Sequence, residues 1–127
     1  MLSTYNSIDI EHALLTTSPP PPFPPASNRA AWNEIISVLG DERVADLISQ
    51  AEADAQSPIP ALPATLYLEF VRNGQREGYQ TPAFRRRQML WNLALAECLE
   101  RQGRFLDPLL DVVWAICEDS SCVVPAH

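Results

Sequence analysis

The chain has 127 residues, of which 46% are hydrophobic and 20% charged, and its formal net charge is −7. This length suits one domain that buries roughly two-thirds of the surface its unfolded chain would expose. The acidic balance excludes nonspecific binding to nucleic acid, which depends on a basic face. No stretch approaches the ~20 apolar residues of a membrane span.

The first 26 residues are expected to be poorly ordered. Residues 1–18 have a faint apolar pattern without strong caps. Charged or titratable side chains interrupt any signal-peptide core at Asp9, Glu11 and His12. The proline run between Pro19 and Pro25 then favours an extended polyproline conformation. We interpret this run as a stiff lead-in along the first helices, with a ligand for an SH3-type domain as the alternative.

Three helices are predicted after the prolines. Ser27 or Asn28 caps the first and Gly40 stops it, whereas Asp41 caps the second. The third helix runs from about Ala64 to Asn73, with Gly74 as its end. Residues 57–63 are extended, because a residue that precedes proline avoids the α region.

Two longer helices complete the predicted set, after a loop over Gln75–Gln80. The first has Thr81 as its cap, Pro82 as its first residue and Gly103 at its end, and the second has Asp107 and Pro108 in the same two roles. The first apolar face comprises Phe84, Trp91, Leu95, Cys98 and Leu99, and the second Leu106, Leu109, Leu110, Val113, Trp114 and Cys117. The short connection between these two helices predicts that they pack as an antiparallel pair. Because the sequence lacks the alternation of apolar and polar residues that is typical of strands, the predicted fold class is all-α.

The charges are distributed unevenly along the chain. All nine basic residues are arginines, and seven lie between Arg72 and Arg104. That segment carries a net charge of +4, so it would suit an anionic sugar. The alternative is a solvated helix face with local ion pairs.

Several motifs follow one another in a characteristic order. They are Pro24–Ser27, Arg29–Trp32, Leu62–Gly74, Arg86–Leu99, Gly103–Asp107, Trp114–Glu118 and Pro125–His127. In this order they resemble the N-terminal catalytic region of the heparinase II/III-like polysaccharide lyases. One departure is Cys122, which stands where such proteins usually carry tryptophan.

The resemblance implies a fold and a size. The helical domain of these lyases is a toroid of paired helices several hundred residues long, followed by a β-sandwich region. Residues 27–127 would then form antiparallel helix pairs, the opening arc of an incomplete (α/α) toroid, in a truncated protein that we expect to be inactive alone. Part of an apolar stripe would face water, so we also expect a sticky, marginally stable product that can self-associate through the open helical edge.

The resemblance also implies β-elimination on a uronic-acid polysaccharide such as a glycosaminoglycan. We expect no cofactor. Tyrosine or histidine removes the C5 proton in such reactions, and donors neutralise the sugar carboxylate. His127 is the candidate catalytic base, with a frayed terminal residue as the alternative. Tyr67, Arg72 and Arg76 are the candidate substrate-binding residues, since arginine suits carboxylates and aromatic rings stack on sugars. Structural packing is the alternative for this cluster.

A zinc site and a protein-interaction module are the alternatives to a lyase. Cys117, Cys122 and His127 repeat at intervals of five, but zinc sites prefer closer cysteine pairs. A helical protein-interaction module without catalytic activity is the alternative function, although the segment Trp91–Phe105 fits a tetratricopeptide repeat poorly. The odd number of cysteines and the lack of a secretory segment favour a cytoplasmic protein with reduced thiols.

Overall fold

The computed structural model describes residues 6–16, 21–119 and 123–125. Among these residues the regular elements are six α-helices, which confirms the predicted all-α class. The helices are α1 (Ser7–Thr16), α2 (Arg29–Leu39), α3 (Asp41–Gln56), α4 (Ala64–Asn73), α5 (Glu77–Glu100) and α6 (Leu106–Cys117). None of the helices in the described part of the chain is long and apolar enough to cross a membrane.

Helix α1 lies in the stretch for which no helix was predicted. Its first turn begins where the Asn6 side chain accepts a hydrogen bond from the Asp9 amide at 2.8 Å. Its large aliphatic side chains Ile8, Leu14 and Leu15 are all exposed. The helix therefore buries no apolar face of its own.

The end of the proline run contacts α2 and α5. Trp32 is buried, and its Nε1 donates a hydrogen bond to the Pro25 carbonyl at 3.1 Å. The ring of Phe23 packs edge-on against that of Trp91, with 5.3 Å between centroids. The hydrogen bond of Trp32 and the ring contact between Phe23 and Trp91 thus hold the end of the proline run against α2 and α5.

The ends of α2 and α4 follow the predicted residues closely, whereas the start of α3 does not. Asn28 caps α2 by accepting a hydrogen bond from the Ala31 amide, as predicted. Gly40 ends α2 with φ of 79°, and Gly74 ends α4 in the left-handed conformation. Glycine was expected at both positions, because a residue without a Cβ adopts positive φ without strain. The predicted cap role of Asp41 is wrong, because Gly40 holds that position and Asp41 is the first residue of α3.

The predicted start of α5 at Thr81 is wrong. The helix begins at Glu77, so Pro82 lies inside it. Packing against α4 explains the extra turn: Tyr79 is buried there, with its ring 5.1 Å from that of Tyr67. Gly78 also faces α4, where a Cβ would lie 2.7 Å from a carboxylate oxygen of Glu69, the movable end of a flexible side chain.

The turn between α5 and α6 also differs from the prediction. Helix α5 ends before Arg101, which adopts φ of 55°, and Gly103 lies within the turn with φ of 79°. The Glu97 carboxylate accepts hydrogen bonds from the amides of Gly103 and Phe105 at 2.8 and 3.3 Å. Helix α6 starts at Leu106, so Asp107 and Pro108 are its second and third residues rather than its cap and first residue.

The core is centred on α5, which packs against α2, α3, α4 and α6. Its buried cluster comprises Ala51 from α3, Met89, Leu93 and Ala96 from α5, Phe105 from the turn and Val112 from α6. Helix α5 is therefore the element that α2, α3, α4 and α6 share.

Arginine side chains connect the helices to one another. Arg85 and Asn92 of α5 both donate to the buried carboxylate of Asp54 on α3, Asn92 at 2.7 Å. The guanidinium of Arg86 donates to the Pro60 carbonyl and, near the end of α6, to the Ala115 carbonyl and to Asp119. Since guanidinium presents several donors in a fixed plane, one side chain can join three segments.

Candidate functional site

Helix α6 carries a run of exposed apolar side chains. Five of its side chains form an apolar stripe that is open to water, here called the α6 stripe: Leu106, Leu110, Val113, Trp114 and Cys117. Trp114 is 70% exposed and Leu110 is 63% exposed. Residues three, four and seven apart lie on one side of an α-helix, so these five form a continuous surface. The expectation that part of an apolar stripe faces water agrees with this surface.

Helix α6 reaches the core through its other side. Val112 is buried, and Leu109 and Ile116 pack against the core cluster. Consecutive residues in a helix are rotated by about 100°, so these three lie on a different side from the α6 stripe. Helix α6 is thus apolar on two sides, of which the described chain covers one.

Carboxylates border one edge of the α6 stripe. Asp107, Asp111 and Glu118 are exposed, and their helical positions place them side by side next to Trp114. The indole Nε1 of Trp114 donates a hydrogen bond to Glu118 at 2.9 Å. No basic residue lies between Leu106 and Glu118, so this edge is negative along its whole length.

Tyr67 lies in a cleft of about 340 Å³ between α4, α5 and the end of α6. The lining residues are Leu62, Ala64, Tyr67, Leu68, Tyr79, Glu118 and Asp119. The two charged residues of this lining are acidic, and the Arg86 guanidinium nearby is already bonded to Asp119. The cleft therefore offers aromatic surface but no free arginine for a sugar carboxylate.

Tyr79 is the second tyrosine of the cleft. Burial, followed by the negative charge of Asp119, raises the pKa of its hydroxyl above the ordinary tyrosine value. A raised pKa keeps the hydroxyl protonated near neutral pH, so Tyr79 is a poor general base.

Arg72 and Arg76 do not come together on one helical face. Arg72 lies in the last turn of α4, and Arg76 precedes α5 on the far side of Gly74, which ends α4. Both side chains are exposed. Arg72 and Arg76 could share a face only on a helix that continues through Gly74. Helix α4 ends before this glycine, so the two arginines have no such face in common. Whether either arginine binds a sugar stays a prediction.

Most other arginines of the basic segment are engaged within the fold. Arg85 and Arg86 hold α3 and α6 as described above, and Arg104 donates to Glu100 and Glu52 at 2.6 to 2.7 Å. These hydrogen bonds raise the pKa of Arg104 further above its already high value. The local ion pairs weighed as the alternative account for much of this segment's charge.

His127, the candidate catalytic base, and Cys122 lie outside the described residues. The zinc set weighed above includes both of them, so its geometry is not described either. Within residues 6–16, 21–119 and 123–125, no group of three or more His, Cys, Asp or Glu side chains is arranged to hold a metal ion.

Comparisons with known proteins give no relative from which a role could be taken. No protein-family model matches the chain, and no curated protein matches its sequence. The assignment to the heparinase II/III-like lyases accordingly stays a proposal.

The apolar face predicted for this helix, α6, contains the five residues of the α6 stripe and also Leu109, which instead packs against the core. The acidic edge was not predicted. The spacing of Asp107, Asp111 and Glu118, at intervals of four and seven, was available as a signal. The role of Asp54 was not predicted either, and the sequence offers no local signal for it, since its partners Arg85 and Asn92 lie far along the chain.

Proposed function

We propose that this chain is a helical interaction module that binds a partner helix through the α6 stripe. The observation that carries the proposal is the exposure of Leu110 and Trp114 within a continuous apolar surface. Exposed apolar surfaces of this kind are typical of protein interaction sites. Tryptophan is enriched among the residues that contribute most to binding energy.

The architecture behind the stripe supports this proposal. The opposite side of α6 is anchored by Val112 in the core, and Arg86 holds the end of the helix. A helix fixed in this way presents its outer side chains without having to order them on binding, which lowers the entropic cost of association. Helix-in-groove recognition uses anchors at the same spacing as the α6 stripe.

Binding of a synthetic amphipathic helix tests the proposal. The probe is a stapled peptide of about four turns, with leucines at helical spacing and glutamine at its flanks. Fluorescence anisotropy with the intact chain should give saturable binding, and Leu110→Gln with Trp114→Gln should weaken it at least about tenfold. Val38→Gln, which changes an exposed apolar residue of α2, is the matched control and should leave the affinity unchanged. Absence of binding, or equal binding to all variants, would refute the proposal.

A lyase role is the second candidate, and the resemblance stated above supports it. In that case the helices are the opening arc of an (α/α) toroid, and the α6 stripe packs against the next helix pair. Uronic-acid polysaccharides would be the substrate, and His127, Tyr67, Arg72 and Arg76 the first residues to substitute. A cytoplasmic location is proposed on the cysteine usage alone.

One assay separates the two candidates. Incubation with a panel of uronic-acid polysaccharides, followed by ultraviolet absorbance, detects the unsaturated sugar that β-elimination leaves. Product formation that is lost in His127→Ala would favour the lyase. Stoichiometric peptide binding without any product would favour the interaction module.

A further inference from the structure

The α6 stripe is accompanied by a charge pattern that restricts what can cover it. Asp107, Asp111 and Glu118 follow one edge of the stripe. All three are exposed, and helix α6 contains no arginine of its own to neutralise them. A partner that covers the stripe brings its own flanking residues alongside these carboxylates.

We infer that the occupant of the α6 stripe is an amphipathic helix of a partner protein whose apolar face is bordered by lysine or arginine along one edge. This inference rests on the proposed function and adds the chemistry of the partner. Leu110, Val113 and Trp114 supply the apolar anchors, and the acidic edge sets the orientation and the choice of partner. Complementary charges at the rim of an interface favour the correct partner and increase the association rate.

A second copy of the chain is the less favourable occupant. The chain carries a net charge of −7, and the carboxylates next to the stripe would meet a surface of the same overall sign. Like charges brought together at an interface oppose association. Helix α1 has exposed apolar residues as well, but Asp9 and Glu11 make this helix acidic too.

Three stapled peptides with the same leucine face test the inference. Their flanking residues are lysine, glutamine or glutamate, and each is titrated into the intact chain at low and at high salt. We expect the lysine peptide to bind about tenfold more tightly than the glutamine peptide at low salt, and the glutamate peptide to bind more weakly. The preference should disappear in about 1 M salt, where the screening length is about 3 Å.

Charge-neutralising variants locate the effect. Asp111→Asn with Glu118→Gln removes two of the three carboxylates, so it should weaken the preference for lysine while keeping the affinity for the glutamine peptide. The matched control, Glu42→Gln with Asp46→Asn, removes two exposed carboxylates from α3 and should keep the preference. Equal affinity for the three peptides would overturn the inference and leave the proposed function standing, and a stable homodimer formed through α6 would overturn it in favour of a second copy. Failure of all three peptides to bind would refute the proposed function itself.

Discussion

Asp54 is the most deeply buried charged side chain in the described part of the molecule, at 4% exposure. One carboxylate oxygen accepts from Arg85 and the other from Asn92, whose own carbonyl accepts from Gln88 at 2.7 Å. A buried carboxylate is tolerated only when it is paired and hydrogen-bonded, and here both conditions hold. The network therefore connects α3 to α5 through specific partners as well as through apolar contact.

Replacing Asp54 with alanine should lower the free energy of unfolding by about 3 kcal/mol, because it leaves the Asn92 amide without its acceptor and removes the partner of Arg85. Urea denaturation followed by circular dichroism measures the change. Arg72→Gln, an exposed substitution on α4, is the control and should change stability by no more than about 0.5 kcal/mol. A loss for Asp54→Ala as small as that of the control would mean that the network contributes little.

The raised pKa of Tyr79 gives a prediction for alkaline pH. The unfolded chain ionises tyrosine near pH 10, whereas the folded chain keeps the Tyr79 proton to higher pH. Burial of the protonated Tyr79 therefore makes its full contribution to the free energy of unfolding below about pH 10. This contribution is lost as pH rises towards the pKa of the folded chain, by at most about 1.4 kcal/mol per pH unit. Burial raises the pKa of the Cys98 thiol as well, which adds a loss that begins at lower pH.

Unfolding free energies measured between pH 9 and pH 11 check this prediction. In Tyr79→Phe the decline above about pH 10 should be shallower than in the parent chain, because the substituted residue cannot ionise. An identical slope for the two proteins would show that Tyr79 ionises equally in the folded and unfolded states.

At the scale of the elements, helix α5 shows where local sequence signals stop being sufficient. Thr81 and Pro82 form a strong local start signal, yet the helix begins at Glu77 because Tyr79 finds a buried position against α4. Its core-facing residues Met89 and Leu93 were missed for a related reason: a helix contacted by four others is apolar on several sides, so periodicity does not single out one of them. Asn28 and Gly74 were predicted correctly, since capping and positive φ depend on neighbouring residues alone.

The inclusion of Pro82 in α5 predicts a stabilising substitution. Proline has no amide for the Gly78 carbonyl, and its ring crowds that carbonyl, so Pro82→Ala should raise the free energy of unfolding by about 1 to 3 kcal/mol. Thermal and urea denaturation measure the gain. A decrease would mean that the proline ring favours the packing of Tyr79 and that its fixed φ stabilises the start of the helix.

At the scale of the whole molecule, α2, α3, α4 and α6 pack around α5, and the described residues leave one side of α6 uncovered. The all-α class and the residues of the α6 stripe were predictable from periodicity and turn residues. Which side of α6 faces the core was not, because Val112 and Trp114 differ only in the neighbours that the fold brings to them. The hydrogen-bond partners of the arginines were not predictable from the sequence either, since Arg86 donates to groups in segments distant along the chain.

Cys117 reports directly on whether this side of α6 is open, because its free thiol lies on the α6 stripe. The measurement is the rate of Cys117 alkylation by iodoacetamide, read by peptide-level mass spectrometry, with and without the glutamine-flanked peptide. We predict that Cys117 reacts faster than the half-buried Cys98, whose thiol has a raised pKa, and that saturating peptide slows Cys117 at least about tenfold. Slow alkylation of Cys117 in the free chain would show that this side of α6 is covered. An unchanged rate with the peptide bound would show that the peptide binds elsewhere.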